Sequence, residues 1–109
     1  MASDYTPQQV SELLSRGEIQ LIDVRTRREH EAGRIGGDRW IELNQLASEA
    51  GTLDPSRPVV FYCRSGARSA MATEAFTMAG FDAHNMAGGL LDWAAGGLPL
   101  APADGHVAD

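Results

Sequence analysis

A chain of 109 residues with 43% hydrophobic content, one cysteine and a formal charge of −6 is sized for one domain around a single core. The acidic balance works against nucleic acid and anionic membranes as general partners, so any anion bound here has to be held locally. One cysteine forms no internal disulfide, no apolar run approaches the roughly 20 residues that span a bilayer, and the opening MASDYTPQQV has no basic-then-apolar leader; the expectation is a reduced thiol in the cytoplasm.

In chain order, Thr6-Pro7 followed by Gln9 reads as a capped helix start. Val10, Leu13 and Leu14 give an apolar stripe that ends at Gly17, predicting a helix over about 7–16. Ile19 to Val24 is a short β-branched run and reads as a buried strand, feeding the charged RTRREHE stretch as a loop and short helical turn. Gly33, Gly36 and Gly37 break the chain; Trp40 and Ile41 form a brief strand, Leu43 to Ala50 a helix, and Gly51 to Pro58 a loop. Val59 to Tyr62 is a clean buried strand, Ser69 to Ala79 a helix closed by Gly80, Asp82 to Met86 a strand and Leu90 to Ala95 a last helix. Strands separated by helices predict an α/β domain with a parallel sheet covered on both faces. The domain is expected over 1–100, and the APADGHVAD tail, 101–109, reads as flexible.

In such sheets ligands bind beyond the carboxyl ends of the strands, and Cys63 stands at one. The residues after it, Arg64, Ser65, Gly66, Ala67 and Arg68, are suited to a tight loop, with Ser69 opening the next helix. A loop of this kind turns successive N–H groups inward as an anion nest with a helix N-terminus behind it. That field, with two guanidinium groups, favours thiolate over thiol. A free cysteine is also a common small core residue, but a core cysteine has no use for two arginines and a glycine within five positions.

Three stretches, LIDVRTRREHEAGRIGG at 21–37, VVFYCRSGARS at 59–69 and GGLLDWAAGGLP at 88–99, together resemble the single-domain rhodaneses, or sulfurtransferases. Departures from the family pattern are His30, Arg34, Asp38 and Glu42, all outside the cysteine loop. The resemblance implies a rhodanese-like five-stranded parallel sheet with helices on both faces. It also implies a ping-pong reaction in which Cys63 takes a sulfane sulfur from thiosulfate or a persulfide donor and passes it to cyanide or to a thiol acceptor, small or on a protein. The catalytic residue is then Cys63; Arg64, Ser65, Gly66, Ala67, Arg68 and Ser69 hold the donor anion and the bound sulfur, Arg64 or Arg68 steering the donor. No metal or organic cofactor is required.

Asp23, Arg25 and Glu29 read as structural support, an arginine–carboxylate pair with Glu29 bracing the loop. His30, His84 and His106 are scattered without ligand spacing, which argues against zinc and makes His30 a solvated helix residue; Trp93 reads as packing. Arg25, Arg27 and Arg28 form a small basic cluster suited to a solvated face or an acidic carrier protein. Two other classes stay open. The first is a phosphatase or arsenate reductase on the same fold, although four residues separate Cys63 from Arg68 where the phosphatase relatives have five. The second is a regulatory protein-binding module, which in this family typically lacks the cysteine that this chain keeps.

Overall fold

The computed structural model describes residues 4–109; residues 1–3, which the sequence reading includes in the domain, lie outside the described residues. In chain order the elements are β1 (Asp4–Tyr5), α1 (Pro7–Ser15), β2 (Gln20–Asp23), α2 (Arg27–Ala32), β3 (Arg39–Trp40), α3 (Leu46–Glu49) between two short 3-10 turns, β4 (Val59–Tyr62), α4 (Ala67–Met78), β5 (Ala83–Met86) and α5 (Gly89–Ala95). The strands form one five-stranded sheet in the order β1-β5-β4-β2-β3, and every neighbouring pair is parallel.

Strand period two divides the core. Ile22, Val59, Phe61 and Cys63 lie in a cluster with Leu46, Leu53, Ala72 and Phe76. Leu21, Val60 and Tyr62 join Val10, Ile35, Met86, Leu90 and Trp93 in the other. All four residues of β4 are fully buried, as expected of a central strand packed on both faces.

Local chemistry sets the helix starts. Thr6 and Gln9 form a reciprocal capping box at α1, with Pro7 in the first turn. Thr26 and Glu29 form a second box at α2. The continuous helix expected over Leu43–Ala50 is instead a 3-10 turn, one turn of α-helix and another 3-10 turn. Eight residues are too few to be stable as a helix on propensity alone, and the segment buries Leu46, with Leu53 buried just beyond it.

The sequence reading makes the segment from Ala101 a loose tail, but in the structure it lies against the domain. Arg34 and Ala101 exchange backbone hydrogen bonds of 2.9 and 2.7 Å, His106 N–H donates to the Ala32 carbonyl at 3.0 Å, and Ala108 is buried. Backbone pairing and a close approach at Gly33 hold it there: a Cβ on Gly33 would lie 2.2 Å from the His106 carbonyl oxygen. Among the described residues no helix is long and apolar enough to cross a membrane.

Candidate active site

The connections from β2 and β4 part company at their carboxyl ends. β2 leads through α2 to β3 on its outer side, and β4 leads through α4 to β5 on the opposite side. This is the switch point at which a parallel sheet opens a crevice. Asp23 and Arg25 flank it on one side, and Cys63 on the other.

Cys63 is 1% exposed, with its sulfur turned into the loop that follows. The chain leaves β4, turns at Gly66 with φ at 108°, and enters α4 one residue later; only glycine adopts that backbone without strain. Gly66 N–H donates to Cys63 Sγ at 3.1 Å, Ser69 N–H at 3.4 Å and the Ser69 hydroxyl at 3.3 Å. The loop is held from outside by α5, whose Leu90 and Leu91 N–H groups donate to the Cys63 and Arg64 carbonyls at 2.9 and 3.0 Å. In a trans peptide N–H points away from C=O, so anchoring these carbonyls outward turns the following amides toward the sulfur. Gly89 makes the approach possible, since a Cβ there would lie 2.5 Å from the Arg64 carbonyl oxygen. Burial pushes the Cys63 thiol up, but the hydrogen bonds from the Ser69 hydroxyl, Ser69 N–H, Gly66 N–H and Ser65 N–H outweigh it and leave its pKa below the ordinary value.

The two arginine side chains are engaged away from the sulfur, not in the arrangement suggested by the sequence. Arg64 Nε donates to the Ala108 carbonyl at 3.1 Å and its Nη2 to Asp109 Oδ1 at 3.2 Å. Arg68 forms a two-pronged pair with Glu29, both bonds 2.8 Å; its charge still interacts with Cys63. Glu29 thus takes its arginine from α4, not from Arg25, and braces α2 against the cysteine loop. Arg68 first, then the Thr26 groups, hold its carboxyl at about 2 against an opposing effect of burial.

Arg25 is fully buried and therefore outside the exposed basic cluster expected with Arg27 and Arg28. Its Nε and Nη2 grip Asp23 at 2.8 and 2.7 Å, and Nη2 also donates to the Gly33 carbonyl at 2.7 Å. Asp23 Oδ2 lies 2.8 Å from His30 Nδ1, and the His30 ring stacks on Trp40, so His30 is built into a network, not solvated. Tyr62 hydroxyl donates to Asp38 Oδ2 at 2.6 Å and accepts the Ile35 N–H at 3.1 Å. Burial, opposed by the Tyr62 hydrogen bond and reinforced by Asp23, raises the Asp38 pKa. One oxygen each of Asp23 and Asp38 and one nitrogen of His30 come within 4.8 Å of one another. Arg25 already takes both Asp23 oxygens, so the cluster is chemically a neutralised ion-pair network, with a guanidinium where a cation ligand set needs free acceptors. His84 pairs with Asp82 and stacks on Tyr5, and Trp93 donates to the Pro99 carbonyl at 2.8 Å.

Beside the Glu29–Arg68 pair lies a pocket of about 290 Å³ lined by Val24, Thr26, Glu42, Leu43, Asn44 and Arg68. Sequence reasoning missed the roles of Leu90 and Leu91, which act through their backbones; the Gly88-Gly89 pair before them was their visible trace.

The chain is similar to a protein named sulfurtransferase from Allochromatium vinosum, 31% identical over 107 residues that cover 96% of this chain and 100% of that protein. It is also 38% identical over 96 residues to an HTH-type transcriptional regulator of Mycobacterium tuberculosis; the match covers 83% of this chain and spans 42% of the regulator's length. Among solved structures, a rhodanese-related protein from Thermoplasma volcanium superposes with a TM-score of 0.84 at 23% identity, covering 91% of this chain and 97% of that one, a likeness of fold. The model of the rhodanese-like domain matches residues 6–96, which takes in all but the first strand of the sheet and the whole cysteine loop, and the chain belongs to that family.

Proposed function

We propose that this domain is a sulfurtransferase that carries sulfane sulfur as a persulfide on Cys63, with thiosulfate as a competent donor. The observation that supports this reading best is the convergence of Gly66 N–H, Ser69 N–H and the Ser69 hydroxyl on one buried sulfur at the strand switch point. The Cys63 thiolate attacks the outer sulfur of thiosulfate, the S–S bond of the donor breaks, and sulfite leaves with the electron pair. The persulfide anion that remains is taken up by the same loop. The Ala67 and Arg68 amides, in the first turn of α4, have no acceptor within the helix and are suited to that charge. Cyanide, or a thiolate, then attacks the terminal sulfur and returns Cys63 as thiolate, so no external oxidant or reductant enters.

Arg68 supports the thiolate by its charge while tied to Glu29. Intact mass after incubation with thiosulfate tests the reading. A gain of one sulfur atom, removed by cyanide and absent in Cys63→Ser, is expected; an unchanged mass overturns it. A regulatory binding module, the reading suggested by the similarity to a transcriptional regulator, predicts that unchanged mass.

A further inference from the structure

Asn85 stands in β5, paired with Asp4 on one side and Phe61 on the other, and is 6% exposed. Its Nδ2 donates to the Gly66 carbonyl at 3.3 Å. Its Oδ1 is buried with no hydrogen-bond partner in the structure. An unpaired acceptor in the interior is costly, so packing alone does not account for an amide at this place. Apolar residues would fill it without that cost.

The Gly66 carbonyl is crowded. Ala70 N–H reaches it at 3.0 Å, the Ser69 hydroxyl at 3.2 Å and Asn85 Nδ2 at 3.3 Å. A carbonyl oxygen has two lone pairs, and a serine hydroxyl has one proton. That same hydroxyl lies 3.3 Å from Cys63 Sγ. Its proton can go to the carbonyl or to the sulfur, not to both.

We propose that Asn85 is a positioning residue which, by occupying the second lone pair of the Gly66 carbonyl, directs the Ser69 hydroxyl proton to the Cys63 sulfur. Without Asn85, the protonated thiol gains a competitor state in which the hydroxyl turns to the carbonyl, and forming the thiolate requires turning it back. With Asn85 in place, the hydroxyl is aimed before the charge develops. The inference rests on the reading of Cys63 as the reacting group, and it concerns how that group is prepared.

The test is a double-mutant cycle read by the pH dependence of iodoacetamide alkylation of the lone cysteine, which needs no sulfur transfer. Asn85→Val removes the donor, keeps a strand-favouring side chain and deletes the unpaired oxygen. It should raise the Cys63 pKa by about half a unit, roughly a threefold loss of thiolate at pH well below the midpoint and about twofold at it. Ser69→Ala alone should raise it further, and adding Asn85→Val to Ser69→Ala should then change nothing. Arg68 with Glu29 and Asp23 beyond it, and Arg64 with Asp109, are untouched by either substitution and cancel in the cycle. Should the valine variant fail to fold by circular dichroism, Asn85→Ala removes the same donor with less bulk. No rise, or an equal rise with and without the Ser69 hydroxyl, overturns the proposal. Failure of wild-type protein to take up sulfur from thiosulfate would defeat the sulfurtransferase reading and leave the cycle's answer standing.

Discussion

Glutamine in place of Glu29 separates two duties that the native side chain performs together. Gln9 already fills the equivalent position in the α1 capping box, so Glu29→Gln keeps an acceptor for the Thr26 N–H while replacing the carboxylate that binds Arg68. The displacement of the Glu29 pKa from 4.5 to about 2 corresponds to about 3 kcal/mol at full value. The Arg68 side chain is 36% exposed, and solvent screening reduces the expected loss to roughly 1–2 kcal/mol. The folded pKa lies below the unfolded one, so this stabilisation is fully present above about pH 4.5 and disappears as pH falls toward 2. Urea unfolding followed by tryptophan fluorescence at pH 7, 5 and 3 should show wild type and Glu29→Gln separated at pH 7 and 5, with the gap at pH 3 reduced to about 40% of its pH 7 value. A gap that is the same at all three pH values, or none at pH 7, would refute the assignment of the Glu29 shift to the Arg68 pair.

Gly33→Ala should free the tail without straining α2, because the Gly33 backbone is extended at φ 179° while the added carbon meets the His106 backbone. Hydrogen exchange should show the His106 amide losing at least about tenfold in protection with the sheet amides unchanged; unaltered protection would refute the contact. Hydrolysis of p-nitrophenyl phosphate by the wild-type protein should be negligible, because the short loop from Cys63 to Arg68 presents its donors to one sulfur atom, and the Arg68 guanidinium is held by Glu29. Sustained phosphatase turnover would show that loop size does not select the chemistry.

The helices with strong local signals were legible in the sequence, and α1 begins where Thr6, Pro7 and Gln9 place it. The α2 box carries the same signal in Thr26 and Glu29, but the charged run hides its periodicity and leaves only a helical turn legible. β1 was invisible: two residues have no period, and they become a strand only by pairing with β5. The cysteine loop could be read because strand end, glycine and helix start are adjacent in sequence. The partners of its arginines could not be, since Glu29 and Asp109 reach Arg68 and Arg64 from 39 and 45 positions away. For the same reason His30 read as solvated, while the fold brings Asp23, Asp38 and Trp40 around it. The tail's mostly small residues give no sign of docking, because its attachment runs through backbone groups and the missing side chain of Gly33.

The pairing of β1 with β5 also sets a timetable for the chain. Asp4 and Tyr5 meet Asn85 and Met86, about 80 residues later, so the first of the five strands cannot be placed until the fifth has appeared. At ribosomal rates of about 5–20 residues per second it waits for roughly 4–16 s. β2 and β4 can pair during that interval, but Cys63 remains on a sheet edge, without the Asn85 amide behind its loop and without the α5 amides on its carbonyls. The Cys63 sulfur therefore gains its full set of supports late, around a strand already in place, when β5 and α5 close on the loop.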